Sequence, residues 1–163
     1  DCQGGWRAVI NADAAAREAT ALLREMSEAN VRASMEESDE AVTQLNDARE
    51  LFTKAQGAYP GLDLDSFIAY VEKRLEAQQA ALASDQAYLD RDKEALAEEN
   101  DRYNALEAEA AALAQDLGDD PDQRVANRFY ESIEDQVTVY EAERLKAGNA
   151  DTFLRDYLGK SVQ

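Results

Sequence analysis

Histidine is absent from this sequence. That excludes histidine-dependent hydrolytic triads and the bundle sites in which carboxylates and histidines share two metals. Cysteine occurs once, at Cys2, so no internal disulfide and no paired-cysteine motif can form. Glycine is sparse and never gathers into a phosphate-cradling loop. Only two prolines, Pro60 and Pro121, interrupt the chain, and aromatics make up 7% of it. Such a composition suits long helices and gives little material for sheets. No apolar run approaches the roughly 18 residues that a membrane-crossing helix needs. Cations are scarce, with 17 Lys and Arg against 35 Asp and Glu, a net charge of -18. A field of that sign repels phosphate backbones and anionic lipid surfaces, which argues against nucleic-acid and direct membrane partners. Cationic proteins and divalent metal ions are the partners it admits.

What the chain does have is apolar periodicity. Asn11 is a plausible N-cap for a first helix. Ala19, Leu22, Met26, Ala29 and Ala33 follow a three-four spacing, which stutters through residues 30–39. A second register then runs through Ala41, Leu45, Ala48, Phe52, Ala55 and Tyr59. Two helices meeting near residues 30–35 would explain the stutter. With no Gly or Pro in between, one bent helix over about 11–58 is the expectation. Pro60-Gly61 makes a turn. A second helix then places Ile68, Leu75, Leu82, Leu89, Leu96, Tyr103, Ala110 and Leu117 seven apart. Asp119, Asp120 and Pro121 mark another turn, followed by a third helix over about 121–147 and a short one over about 151–158.

Short turns make neighbouring helices antiparallel. With the first turn near residue 61, residue i of the first helix faces about residue 122 minus i of the second. The third helix reaches only half the length of the second. The expected fold is therefore all-α: an antiparallel three-helix coiled-coil bundle with a projecting two-helix hairpin arm and a short C-terminal helix. The base would comprise about 11–33 and 91–147, and the arm about 34–90. Residues 1–10, with the Gly4-Gly5 pair, are expected as a flexible tether to this single elongated domain of residues 11–163. Trp6, Val9 and Ile10 are apolar enough to fold back onto a bundle end.

The polar layers of the second helix, Gln78, Asp85, Asp92 and Glu99, fall opposite the polar stretch of the first. There Asp85, Asp92 and Glu99 are expected to meet Arg24 and Arg32 and to fix the hairpin's alignment. At the arm tip, Phe52, Tyr59, Pro60, Leu64, Phe67 and Tyr70 form the candidate partner-binding surface. Core packing is the ordinary reading of the same aromatics.

Catalytic equipment is missing, so the expectation is a non-enzymatic helical interaction or spacer module without a cofactor. The pattern is similar to helical-hairpin coiled-coil modules of bacterial surface and periplasmic proteins, a likeness of heptads and composition that transfers no residue. Cys2 is a candidate lipid anchor, although Asp1 departs from the small residue usual before a lipidated cysteine. An exposed cysteine without a role, or intermolecular pairing, would equally account for it. An extracytoplasmic location is expected on this reading, with the cytoplasm as the alternative. The heptads are expected to be satisfied within one chain, giving a monomer, whereas a scaffold acting by oligomerisation would use them between chains. A carboxylate site for a divalent cation is a further alternative. Its best cluster is Glu36, Glu37, Asp39, Asp85 and Asp92, then Asp119, Asp120 and Asp122, and neither has the spacing of a calcium loop.

Overall fold

A computed structural model describes residues 2–58, 61 and 63–117. They form four helices: α1 (Cys2–Leu22), α2 (Glu28–Ala58), α3 (Asp65–Leu89) and α4 (Lys93–Leu117), with no strand among the described residues. Each helix packs along the next in sequence. The order is thus up, down, up, down, as short connections dictate. The all-helical bundle agrees with expectation. The division into base and arm does not describe these residues, because α1 and α4 run beside the α2–α3 hairpin. The helices expected over 121–147 and 151–158, and the turn acids Asp119, Asp120 and Asp122, lie outside the described residues.

Both long helices of the sequence reading are broken, and neither break uses glycine or proline. The first lies at residues 23–27. Ser27 caps α2: its Oγ accepts the Asn30 N–H at 3.1 Å, and its carbonyl accepts the Val31 N–H at 2.9 Å. The Asn30 side chain reaches back to donate to the Glu25 carbonyl at 2.7 Å. Short polar side chains thus give the backbone a better alternative than continued helix.

The second break is the three-residue corner 90–92. The Asp92 N–H donates to the Ala87 carbonyl at 2.9 Å and the Arg91 N–H to Tyr88 at 3.1 Å, which is the Schellman pattern. It requires a left-handed residue, supplied by Arg91 at φ 59°. Asp92 then caps α4, its Oδ1 accepting the Ala95 N–H at 3.0 Å. A residue with a Cβ pays roughly 1 kcal/mol for this backbone. Arg91→Gly is therefore expected to stabilise the chain by about 1 kcal/mol, read as a higher urea midpoint. A lower midpoint would show that the Arg91 side chain itself holds the corner.

The chain makes the expected turn at Gly61, with that residue at φ 99°. Gln56 closes it from within α2. Its Oε1 accepts the Leu64 N–H and its Nε2 donates to Asp65 Oδ1, both at 2.6 Å.

Residues 2–10, expected as a tether, are the first turns of α1. Gly5 serves contact there: a Cβ would lie 2.7 Å from the Phe52 ring. Trp6 and Val9 are buried, whereas Ile10 is about half exposed. The main core lies at this end, where Val9, Leu45, Phe52, Leu64, Phe67, Tyr70 and Val71 pack together with Trp6. Toward the 90–92 corner the core thins to Ala77, Ala80 and Leu106, with Tyr103 against them. The heptad leucines of the second expected helix divide between α3 and α4. Leu75 is buried, while Leu82, Leu89 and Leu96 are half-buried.

Candidate functional site

Four of the six residues expected at an arm tip are core. Phe52 and Leu64 are 0% exposed, and Phe67 and Tyr70 nearly as buried. The reason is α1, whose N-terminal turns cover the end of the hairpin that the sequence reading left bare. Tyr59 and Pro60 lie outside the described residues. The expected junction layer also separates. Arg32 is exposed and pairs with Glu28 at 3.0 Å. Arg24 is exposed as well. Asp92 is used as a cap, and Glu99 faces Arg102 at 3.5 Å. Asp85 alone meets α2, accepting a hydrogen bond from the Ser34 hydroxyl at 2.9 Å. That bond places the hairpin within one helical turn of the expected alignment. Glu36, Glu37, Asp39, Asp85 and Asp92 are not gathered: the described residues contain no group of three metal-binding side chains.

The structure assembles a different polar site on the side of the bundle where α1 faces α3 and α4. Its first part is an ion-pair hub on α3. Arg74 Nη2 lies 2.7 Å from Asp13 Oδ1 of α1, and its Nε lies 3.6 Å from Glu107 Oε1 of α4. Nη1 donates to the Tyr70 hydroxyl at 3.1 Å, and the guanidinium stands 6.0 Å from that ring's centroid. Burial favours the neutral guanidine, but Asp13, Tyr70 and Glu107 outweigh it, so Arg74 stays charged. Burial first, and Asp13 and Glu107 with it, push the Tyr70 phenol up despite the opposing pull of Arg74.

Sequence reasoning missed this hub. Its signal was an arginine wedged between the stripe residues Val71 and Leu75, one turn after a tyrosine.

One turn further along α3, Gln78 is buried and borders two spaces. Outward, a groove of about 410 Å³ runs past Asp13, Arg17, Arg24 and Glu107. Inward, a cavity of about 150 Å³ lies among all four helices, bounded by Ala16 of α1, Leu23 just beyond it, Ser34 and Ser38 of α2, Asp85 of α3 and Asn100 and Tyr103 of α4. Ser84 Oγ donates to Asn100 Oδ1 at 2.7 Å across the α3–α4 side. Burial, then Glu107, pushes the Tyr103 phenol up, with Arg74 and Thr20 opposing.

Asp85 is the buried carboxylate of this cavity, 5% exposed. Burial pushes its carboxyl above the ordinary 3.8, and the Ser34 hydrogen bond offsets part of the rise. The folded chain therefore holds this proton more tightly than the unfolded chain. The resulting stabilisation is complete below the ordinary carboxylate value and is lost as pH rises through the folded value. Asp85→Asn keeps the shape and removes the charge. It is expected to be more stable than the parent at neutral pH, with the advantage vanishing in acid. Paired urea melts across pH check this. Lower stability of the variant at neutral pH would mean that the ionised carboxylate is the stabilising form.

Compared with protein-family models, curated proteins and solved structures, the chain matches none of them. None of the described helices is long and apolar enough to cross a membrane.

Proposed function

We propose that this chain is a non-enzymatic helical interaction module whose acidic exterior receives a cationic protein partner. The observation that carries the reading is the outer face of α2. Glu36, Asp39, Glu40, Asp47 and Glu50 are all exposed and fall within one arc of the helix surface. The stripe spans roughly 20 Å along the axis. None of the five has an ion-pair partner among the described residues. The opposite face of α2 is buried from Val31 to Ala55, so the stripe has a fixed backing. Unpaired charge on a rigid face favours fast, oriented encounter with an oppositely charged surface.

The test uses a lysine-rich helical peptide as bait and measures affinity at two salt concentrations. Neutralising Glu36, Glu40 and Asp47 together to their amides is expected to weaken binding about tenfold. Neutralising the exposed Glu94, Glu98 and Asp101 of α4 is expected to change it by no more than about twofold. Equal losses from both sets would reduce the effect to net charge and end the assignment to α2.

The extracytoplasmic location and the lipid anchor at Cys2 remain part of this proposal on sequence grounds alone. Intact-mass measurement of the native protein from a fractionated cell would decide them. Monomer is the state proposed, and light scattering of the 18.0 kDa chain tests it against the oligomeric scaffold.

A further inference from the structure

We propose that the cavity around Asp85 is a binding site for a small organic cation, a primary alkylammonium of about five or six non-hydrogen atoms. This goes beyond the interaction reading and does not depend on it. Three observations lead there.

The first is the carboxylate. Asp85 is buried, accepts one hydrogen bond from Ser34, and has no cationic partner among the described residues. An ionised carboxylate offers about four acceptor positions, so most of its capacity faces the cavity unused.

The second is Gln78. It is 2% exposed and borders the cavity. Ser38, 1% exposed, borders it from the opposite helix. Both place side chains with hydrogen-bonding capacity on the wall of the same space as the carboxylate. The carboxylate, the Gln78 carbonyl and the Ser38 hydroxyl can all accept, which asks for a cation with several N–H donors.

The third is the shape and lining. A space of about 150 Å³ matches a cavity known to hold a six-carbon ring. Ala16, Ala19, Leu23 and Ala81 supply an apolar wall for a short hydrocarbon tail. A bare divalent ion needs more carboxylates than this one. Electrostatics beyond the cavity favour the same charge. Arg74 is neutralised by Asp13 and Glu107, Arg17 and Arg24 sit on the solvated rim, and the net charge of -18 concentrates cations around the chain.

The experiment is a calorimetric titration of the full chain with n-butylammonium chloride, with tetramethylammonium and sodium chlorides at matched ionic strength. Saturable binding of n-butylammonium alone is expected, with Asp85→Asn weakening it about tenfold or more. Gln78→Met, which keeps the volume, is expected to weaken it severalfold. In the unmodified chain, the side-chain amide resonances of Gln78 and Asn100 are expected to shift with n-butylammonium and not with tetramethylammonium. This measurement keeps the idea testable if a variant does not fold. Three results would each overturn the proposal: no saturable signal into the tens of millimolar, equal affinity in a folded Asp85→Asn chain, or equal response to all three salts. The last would mean that the cavity holds only water and general ionic strength is being read.

Discussion

Truncating Phe52 to alanine is expected to lower the unfolding free energy by about 3–5 kcal/mol. The ring is 0% exposed, and it packs against α1 so closely that Gly5 leaves no room for a Cβ. Removing it leaves a hole in the largest apolar cluster, which also holds Trp6, Leu64 and Phe67. Such a site collapses poorly, because the surrounding helices are held apart by their own side chains. For a chain of this length the loss corresponds to a fall of roughly 10 °C in melting temperature. Thermal and urea melts followed by circular dichroism would measure it. If Phe52 belonged to an exposed arm tip, the same change would lie within about 0.5 kcal/mol. A small value would therefore remove α1 from its place over the hairpin.

Replacing Arg74 by methionine is expected to cost about 3 kcal/mol. The side chains of Arg74 and Asp13 are 15% and 13% exposed, and Glu107 is 34% exposed, so the lower end of the range for buried pairs applies. The loss comes from the carboxylates left without their cation more than from the attraction itself. Exchanging all three for apolar residues, Arg74→Met with Asp13→Leu and Glu107→Leu, is expected to recover most of it. A triple variant no better than the single would show that the hub contributes through its attraction and not through the penalty of stranded charge. Added salt should barely change the effect, whereas the exposed Arg32–Glu28 pair should be screened.

These two residues also measure how far the sequence could be read. The inner face of α2 was legible at Ala41, Leu45, Ala48, Phe52 and Ala55, because apolar spacing reports burial directly. The turn at Gly61 was legible because glycine next to a proline ends a helix. The two other breaks were not. One depends on Ser27 and Asn30, ordinary polar residues whose capping role appears only once the backbone has turned. The other puts an arginine where glycine is the usual signal. The leucine heptads hid that break, since Leu89 and Leu96 keep their spacing across it. Gly4-Gly5 looked like an interruption because glycine lowers helix propensity, whereas packing against Phe52 overrides that preference. The candidate site was legible only at Asp85. The hub of Asp13, Arg74 and Glu107 draws on three helices, and its alignment required knowing both hidden breaks.

The connectivity of the bundle has a kinetic consequence. Consecutive helices pair through connectors of a few residues, so most of the described contacts close short loops. Folding of these helices is expected on the microsecond-to-millisecond scale. The contacts that join α1 to α3 and α4 close the longest loops and should form after the rate-limiting step. Arg74→Met should then accelerate unfolding in stopped-flow measurements while leaving the refolding rate nearly unchanged.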